Sequence, residues 1–251
     1  MTEMSNIMTE KKYDKRYERE AMLIGEDALL RLSEARVALF GVGGVGSYAA
    51  EALARAGVGH IELIDNDTVS ITNINRQLCA LESTVGKLKV DVTATRLKDI
   101  DPSLDVKCIP RFILPDNISE LDLESCDFVI DAIDTVSAKI AIAVRTTELG
   151  IPMISCMGTS NKLDPSALKV SDLSKTSGCP LARVMRRELK NRGIVHLPVI
   201  YSEESPLTPL FTPEGYEAEG KKLPPASISF VPSVAGLLAA SEAIKYLINK
   251  K

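Results

Sequence analysis

Hydrophobic and polar positions alternate along this chain in short buried runs and one-face helical stripes. Two helices are predicted first, over Tyr17 to Ile24 and Glu26 to Leu32. The apolar run Val37 to Phe40 then reads as a buried strand. "VGSYAAEALARAG" follows, with Val45, Ala49, Ala52 and Leu53 recurring on one helical face and Gly57 placed for a C-cap. "HIELID" is a second strand ending at Asp65, and a polar loop leads to a helix within "VGKLKVDVTATRLKDID". "DVKCIP" and "CDFVIDAID" read as strands, "VSAKIAIAVRTTELG" as a helix with Gly150 past its end, and "IPMISCMG" as a further strand.

Strands alternating with helices of this length predict an α/β fold, a Rossmann-like, doubly wound, mostly parallel sheet with helices on both faces. The rhythm breaks at Thr159. A basic helix in "PLARVMRRELKNRG", a short strand in "HLPVIYS" and a proline-rich crossover over 203–226 come next. The terminal "PSVAGLLAASEAIKYLIN" is a helix whose Val234, Leu237, Leu238, Ile244 and Leu247 are expected to pack back on the sheet. Residues 1–15 read as a polar, mobile tail. Residues 16–251 read as one domain, a nucleotide-binding part over 16–158 and a crossover and substrate part over 159–251.

Composition changes this picture little. With 251 residues, 45% hydrophobic and 25% charged, the chain describes an ordinary soluble globule. Its 30 basic and 34 acidic side chains leave a formal charge of −4, so any nucleic-acid surface must be local. The opening "MTEMSNIMTEKKYDKRYERE" lacks an apolar secretory core. "ASISFVPSVAGLLAAS" is too interrupted to predict stable membrane insertion. Five scattered cysteines without a C-x-x-C pair argue against structural zinc and disulfides, and suit a reducing cytoplasm.

The candidate chemistry begins at "VALFGVGGVG". Gly41, Gly43 and Gly46 fit G-x-G-x-x-G between strand and helix, with Gly44 as an extra, a context suited to phosphate. Asp65, 24 residues beyond Gly41, suits ribose hydroxyls of either NAD or ATP. Arg76 and Lys89 favour ATP, because a triphosphate carries more charge to neutralise. "DAID" puts Asp131 and Asp134 at a strand end where a carboxylate can hold Mg²⁺.

The run "LFGVGGVGSYAAEALARAGVGHIELIDNDTVSITNINRQ", with "VGKLK" and "DAIDT", resembles the ATP-dependent adenylating fold of ubiquitin-activating enzymes and their ThiF-, MoeB- and HesA-type bacterial relatives. The resemblance implies that Gly41, Gly43 and Gly44 meet phosphate and Asp65 the ribose. Asp67, Asn73, Arg76, Gln77 and Lys89 would line the nucleotide path, with Asp134 on Mg²⁺. Arg19, in "RYERE", matches an arginine that reaches the ATP of a neighbouring subunit, implying a homodimer. Arg19, Arg76, Lys89 and Asp134 form the implied catalytic set. Such enzymes form an acyl-adenylate and release pyrophosphate by positioning and screening anions.

Two carboxylate substrates compete. Sulfur-carrier activators of this superfamily usually carry two C-x-x-C pairs, which are missing here. "KVSDLSKTSGCPLARVMRRELKNRGI" and "VIYSEESP" resemble instead the tRNA threonylcarbamoyladenosine dehydratase branch, which acts on a nucleoside beside the anticodon. Arg183, Arg186, Arg187 and Lys190 share one predicted helical stripe, with Arg192 close behind. Alone such a stripe reads as a solvated face; beside the resemblance it reads as a tRNA contact. A sulfur-transfer or acyl-carrier-type partner protein remains open. Cys179, before Pro180 at a helix start, offers either a thioester nucleophile or, as expected here, a substitute for the branch's usual capping Asp. A non-catalytic nucleotide-binding regulator would need one of the key residues to be absent, and all are present.

Overall fold

The computed structural model describes residues 13–213 and 225–250. The first twelve residues of the expected tail and residues 214–224 of the expected crossover lie outside the described residues. Helices α1 (Glu18–Ile24) and α2 (Glu26–Glu34) lead into β1 (Arg36–Phe40), α3 (Gly46–Arg55), β2 (His60–Ile64), α4 (Lys89–Ile100) and β3 (Asp105–Ile109). Then come β4 (Phe128–Asp131), α5 (Val136–Leu149), β5 (Met153–Cys156), β6 (Leu168–Asp172), α6 (Pro180–Lys190), β7 (Pro198–Ser202) and α7 (Phe230–Asn249). The seven strands form one sheet in the order β3-β2-β1-β4-β5-β7-β6. Only the β6–β7 pair among them is antiparallel.

β1, β4 and β5 are buried from end to end apart from Arg36, as expected of central parallel strands covered on both faces. Helices α2, α3, α4 and α7 pack on one face and α5 with α6 on the other. The strand order reverses between β1 and β4, so the loops that follow these two strands splay apart. That crevice is where open α/β sheets bind ligands.

The C-terminal helix packs on the core by a different face than its large side chains predict. Val231, Ala235, Ala239, Ala240, Ala243 and Leu247 are buried, whereas Leu237 is 49% exposed. Val234, Leu238 and Ile244 only flank the contact. The reason is close approach: a Cβ on Gly236 would lie 2.2 Å from the carbonyl oxygen of Val45, at the start of α3. Small residues admit that approach and bulky ones cannot. By length and composition α7 could cross a membrane; its buried face accounts for that apolarity within the protein.

Candidate nucleotide site

The four glycines after β1 divide into two kinds. Gly41 has φ +87°, and a Cβ there would strike the Ala132 carbonyl at 2.8 Å. At Gly46 a Cβ would lie 1.8 Å from the Gly41 carbonyl. These two glycines are required by the fold itself, because they let the turn close against the β4–α5 loop. Gly43 and Gly44 meet no such obstacle; their nearest neighbours stand 3.7 Å and 3.3 Å from a built Cβ. What their missing side chains keep open is the cavity, of about 320 Å³, beside the first turn of α3.

All ten residues expected at the nucleotide line this cavity: Gly41, Gly43, Gly44, Asp65, Asp67, Asn73, Arg76, Gln77, Lys89 and Asp134. Asp65 stands past the end of β2 and closes the turn, accepting hydrogen bonds from the backbone N–H of Val42 at 2.6 Å and of Asp67 at 2.8 Å. Burial raises its pKa, opposed by these two donors and by Lys89. Each carboxylate oxygen keeps a lone pair for a further donor. Lys89 opens α4 almost fully buried, its ammonium 2.7 Å from Asp67 Oδ2.

Arg76 is half-buried and held by neutral acceptors, the Thr72 carbonyl at 2.8 Å and Asn75 Oδ1 at 2.9 Å. Burial draws its pKa below the usual arginine range, yet it remains a cation at neutral pH. A cation fixed by neutral groups presents uncompensated charge to whatever enters the cavity.

The two carboxylates of "DAID" have different environments. Asp131 is fully buried, 2.9 Å from the buried ammonium of Lys139 and hydrogen-bonded by Ser155 Oγ. Asp134 is exposed on the β4–α5 loop and lines the cavity, with Thr135 Oγ1 at 3.5 Å. One carboxylate anchors the loop and the other is presented by it. Among the described residues no group of three His, Cys, Asp or Glu side chains converges. A cation at Asp134 would therefore draw most of its oxygen ligands from phosphate and water, which suits Mg²⁺.

Several lining residues escaped sequence reading. Arg111, Phe112 and Ile113 follow β3, Thr159 and Ser160 follow β5, and Pro232 comes from α7. Arg111 is tied to Glu120 at 2.7 Å. The strand-end rule applied to "DVKCIP" would have pointed to the first three; nothing local in "SISFVPSV" signals Pro232.

Arg19 does not line the cavity. Nearby Tyr17 donates to Asp101 at 2.5 Å and its ring faces Gly57, at the edge where β2 and β3 begin. The cavity opens at the opposite, strand-end edge. The basic stripe is also not uniform. Arg183, Arg187 and Lys190 are exposed, but Arg186 turns inward, donating from Nη1 to the Leu173 and Thr176 carbonyls. It braces the loop before α6, while the other three present their charges at the surface. Arg187 shares Glu188 with Arg192.

The first turn of α6 reaches the cavity's rim: a Cβ on Gly158, next to Thr159, would stand 4.0 Å from Leu181 Cβ. Cys179 occupies the N-cap position without a side-chain capping bond. It is buried, in the same apolar cluster as Leu173, Ala182 and Met185. Cys126 and Cys156 are likewise buried, and burial pushes both thiols up to about 12.

A doubly wound sheet with a glycine turn, an uncompensated arginine and a presented carboxylate at its switch point makes a nucleotide-type site. The chain belongs to the ThiF family, whose model matches residues 17–251. It is 43% identical over 240 residues to the tRNA threonylcarbamoyladenosine dehydratase of Bacillus subtilis, covering 93% of this chain and 94% of that one. Among solved structures, that of Escherichia coli tRNA N6-threonylcarbamoyladenosine dehydratase, TcdA, in complex with AMP superposes with a TM-score of 0.84 at 35% identity, over 94% of each chain. The same enzyme in complex with ATP gives 0.83, again at 35% identity and 94% of each chain.

Proposed function

We propose that this chain is an ATP-dependent tRNA threonylcarbamoyladenosine dehydratase. The observation that carries the reading is one cavity, at the strand switch point, that gathers the phosphate glycines, Asp65, Arg76, Lys89 and Asp134 in a chain so similar to two dehydratases. Phe112, Ile113 and Ile133 give the adenine an apolar wall, and Asp65 accepts from the ribose. The backbone of Gly43 and Gly44, with Arg76 and Lys89, holds the phosphates. Asp134 would hold Mg²⁺, which when bound screens phosphate charge.

In this reading the threonyl carboxylate attacks the α-phosphate, a P–O bond to pyrophosphate breaks, and an acyl-adenylate forms. Intramolecular attack on the acyl carbon then expels AMP and closes a ring, for a net loss of water. No residue need form a covalent intermediate, in keeping with the burial of Cys179. The protein contributes position and charge. The cytoplasm, with its free tRNA and reduced thiols, is the proposed location, and a homodimer the proposed assembly.

The direct test is turnover. Purified protein with ATP, Mg²⁺ and tRNA bearing threonylcarbamoyladenosine should convert that nucleoside to a product lighter by one water, seen by mass spectrometry, while AMP and pyrophosphate accumulate. If pyrophosphate exchange instead starts only when a ubiquitin-like or sulfur-carrier protein is added, the carboxylate belongs to that carrier and the dehydratase reading falls.

The tRNA contact is proposed on Arg183, Arg187 and Lys190, the exposed cations of α6 beside the cavity rim. Reversing all three charges should weaken tRNA binding and flatten its dependence on salt, by roughly one unit of slope for each phosphate no longer engaged. ATP affinity should hold, since none of the three lines the cavity. Filter binding across a salt series decides: an unchanged slope returns the stripe to a solvated face.

A further inference from the structure

Beside the phosphate cavity, across Arg76, lies a second hollow of about 740 Å³, where the chemistry of the wall changes. Arg76, Pro225 and Ser227 line both spaces. On the far side the wall is apolar, built by Ile71, Leu163, Leu207, Leu210 and Phe211. These side chains are unusually open for their type: Leu210 is fully exposed and Phe211 is 76% exposed. Apolar groups gathered round one hollow, with a few fixed polar atoms, are the mark of a binding site rather than of a core.

The chamber is also held in shape by its own hydrogen bonds. Asn161 has φ 59°, the only positive value outside glycine among the described residues. Three hydrogen bonds hold it there. Its backbone N–H donates to the Ala226 carbonyl at 2.8 Å, its side-chain oxygen accepts from the Ala226 N–H at 2.8 Å, and its carbonyl accepts from the Leu207 N–H at 2.7 Å. Asn75 Nδ2 adds a bond to the Ser227 carbonyl at 3.0 Å. The points where the crossover leaves and returns are thus clasped to the loop after β5, next to Arg76. Asparagine is among the few residues that take this left-handed backbone readily, and here the three bonds fix it in place beside the hollow.

We propose that this chamber seats the nucleoside whose carboxylate is activated, with the base stacked on Phe211 and its threonylcarbamoyl arm passing Arg76 into the phosphate cavity. The inference rests on the dehydratase reading above and adds the place where its substrate is held. The carboxylate hangs from the adenine N6 by a short arm, so a base whose carboxylate meets the α-phosphate must occupy the adjoining space. That space is apolar and carries an aromatic ring. Single-stranded loop bases are recognised in this way, splayed out and stacked on aromatic side chains. A glycine-ended protein tail would present no flat apolar surface to fill it.

The test compares Phe211→Ala with Phe211→Tyr, both at an exposed position that leaves the core untouched. Phe211→Ala should lower kcat/KM for tRNA roughly ten- to hundredfold, the loss expected of one base–aromatic stack, while ATP binding in the absence of tRNA is unchanged. Phe211→Tyr keeps the ring face and should restore turnover. Asn161→Ala should lower the same parameter by releasing the clasp. Wild-type kcat/KM in Phe211→Ala, or an equal loss of ATP binding, overturns the proposal. If the wild-type protein turns over no tRNA at all, the dehydratase reading has failed instead.

Discussion

Asp134→Ala and Arg76→Ala should each abolish ATP–pyrophosphate exchange in a protein that still folds. Asp134 is exposed and makes only a long contact with Thr135, so its loss should move stability by no more than about 0.5 kcal/mol, as for other surface positions. Arg76 bonds the neighbouring Thr72 carbonyl and Asn75 side chain, and a local loop contact is all that its removal costs the fold. The effect on chemistry is of another order. Both groups face the space where a triphosphate would gather negative charge, one as a fixed cation and the other as the proposed ligand of Mg²⁺. Removing a single preorganised electrostatic group from such a site costs roughly 10²–10³ in rate.

The two variants should fail differently. Arg76→Ala should weaken ATP binding at every Mg²⁺ concentration, whereas Asp134→Ala should be partly relieved by raising Mg²⁺. Pyrophosphate exchange measured across a Mg²⁺ series, beside a thermal melt, separates the outcomes. Wild-type exchange in either variant removes that residue from the mechanism.

Much of this arrangement was legible in the sequence because it obeys local rules. A buried strand followed by glycines fixes the turn after β1. The residues just past β2 and β4 are then aimed at the crevice by the parallel sheet. Asp65 and Asp134 could be placed from strand ends, whereas Arg76 and Lys89 stood out as cations suited to a triphosphate and through the family resemblance. What could not be read depends on tertiary approach. α7 buries Ala235, Ala239 and Ala243 beside Leu247 and leaves Leu237 out, because Gly236 lies against the Val45 carbonyl, a contact between positions far apart in the chain. Helical spacing put Arg186 in line with Arg183 and Lys190, but Arg186 bonds the carbonyls of Leu173 and Thr176 in the loop before α6. Periodicity gives a face; it does not say which side of a face finds a partner.

The same limit holds within "DAID". Two carboxylates three residues apart at one strand end look equivalent on paper. Lys139, one turn into α5, reaches back to the first and buries it, so only the second is left to the cavity. The spacing from Asp131 to Lys139 suggests a pairing only once the helix is known to fold back over the strand it follows.

Mixing Arg19→Ala with Asp134→Ala should restore activity that neither variant has alone. Arg19 lies on α1, away from the cavity of its own chain, on a helix whose Met22 and Leu23 are 85% and 83% exposed. Adjacent large apolar side chains left so bare on a short helix are what an interface between copies would cover. A two-fold dimer in which α1 faces the partner's cavity would deliver Arg19 to the partner's triphosphate. In a mixed dimer one site would then combine an intact Asp134 with an intact Arg19 from the other chain, and the second site would lack both. Random exchange of equal amounts makes half of the dimers mixed, so about a quarter of wild-type activity should return if the assembly is a closed two-fold dimer. If Arg19 served its own chain, every site in every combination would carry one lesion, and mixing would recover nothing. Subunit exchange must be verified in the same samples, by native mass spectrometry of chains carrying tags of different mass. With exchange complete and no recovery, sharing of Arg19 across the dimer is excluded.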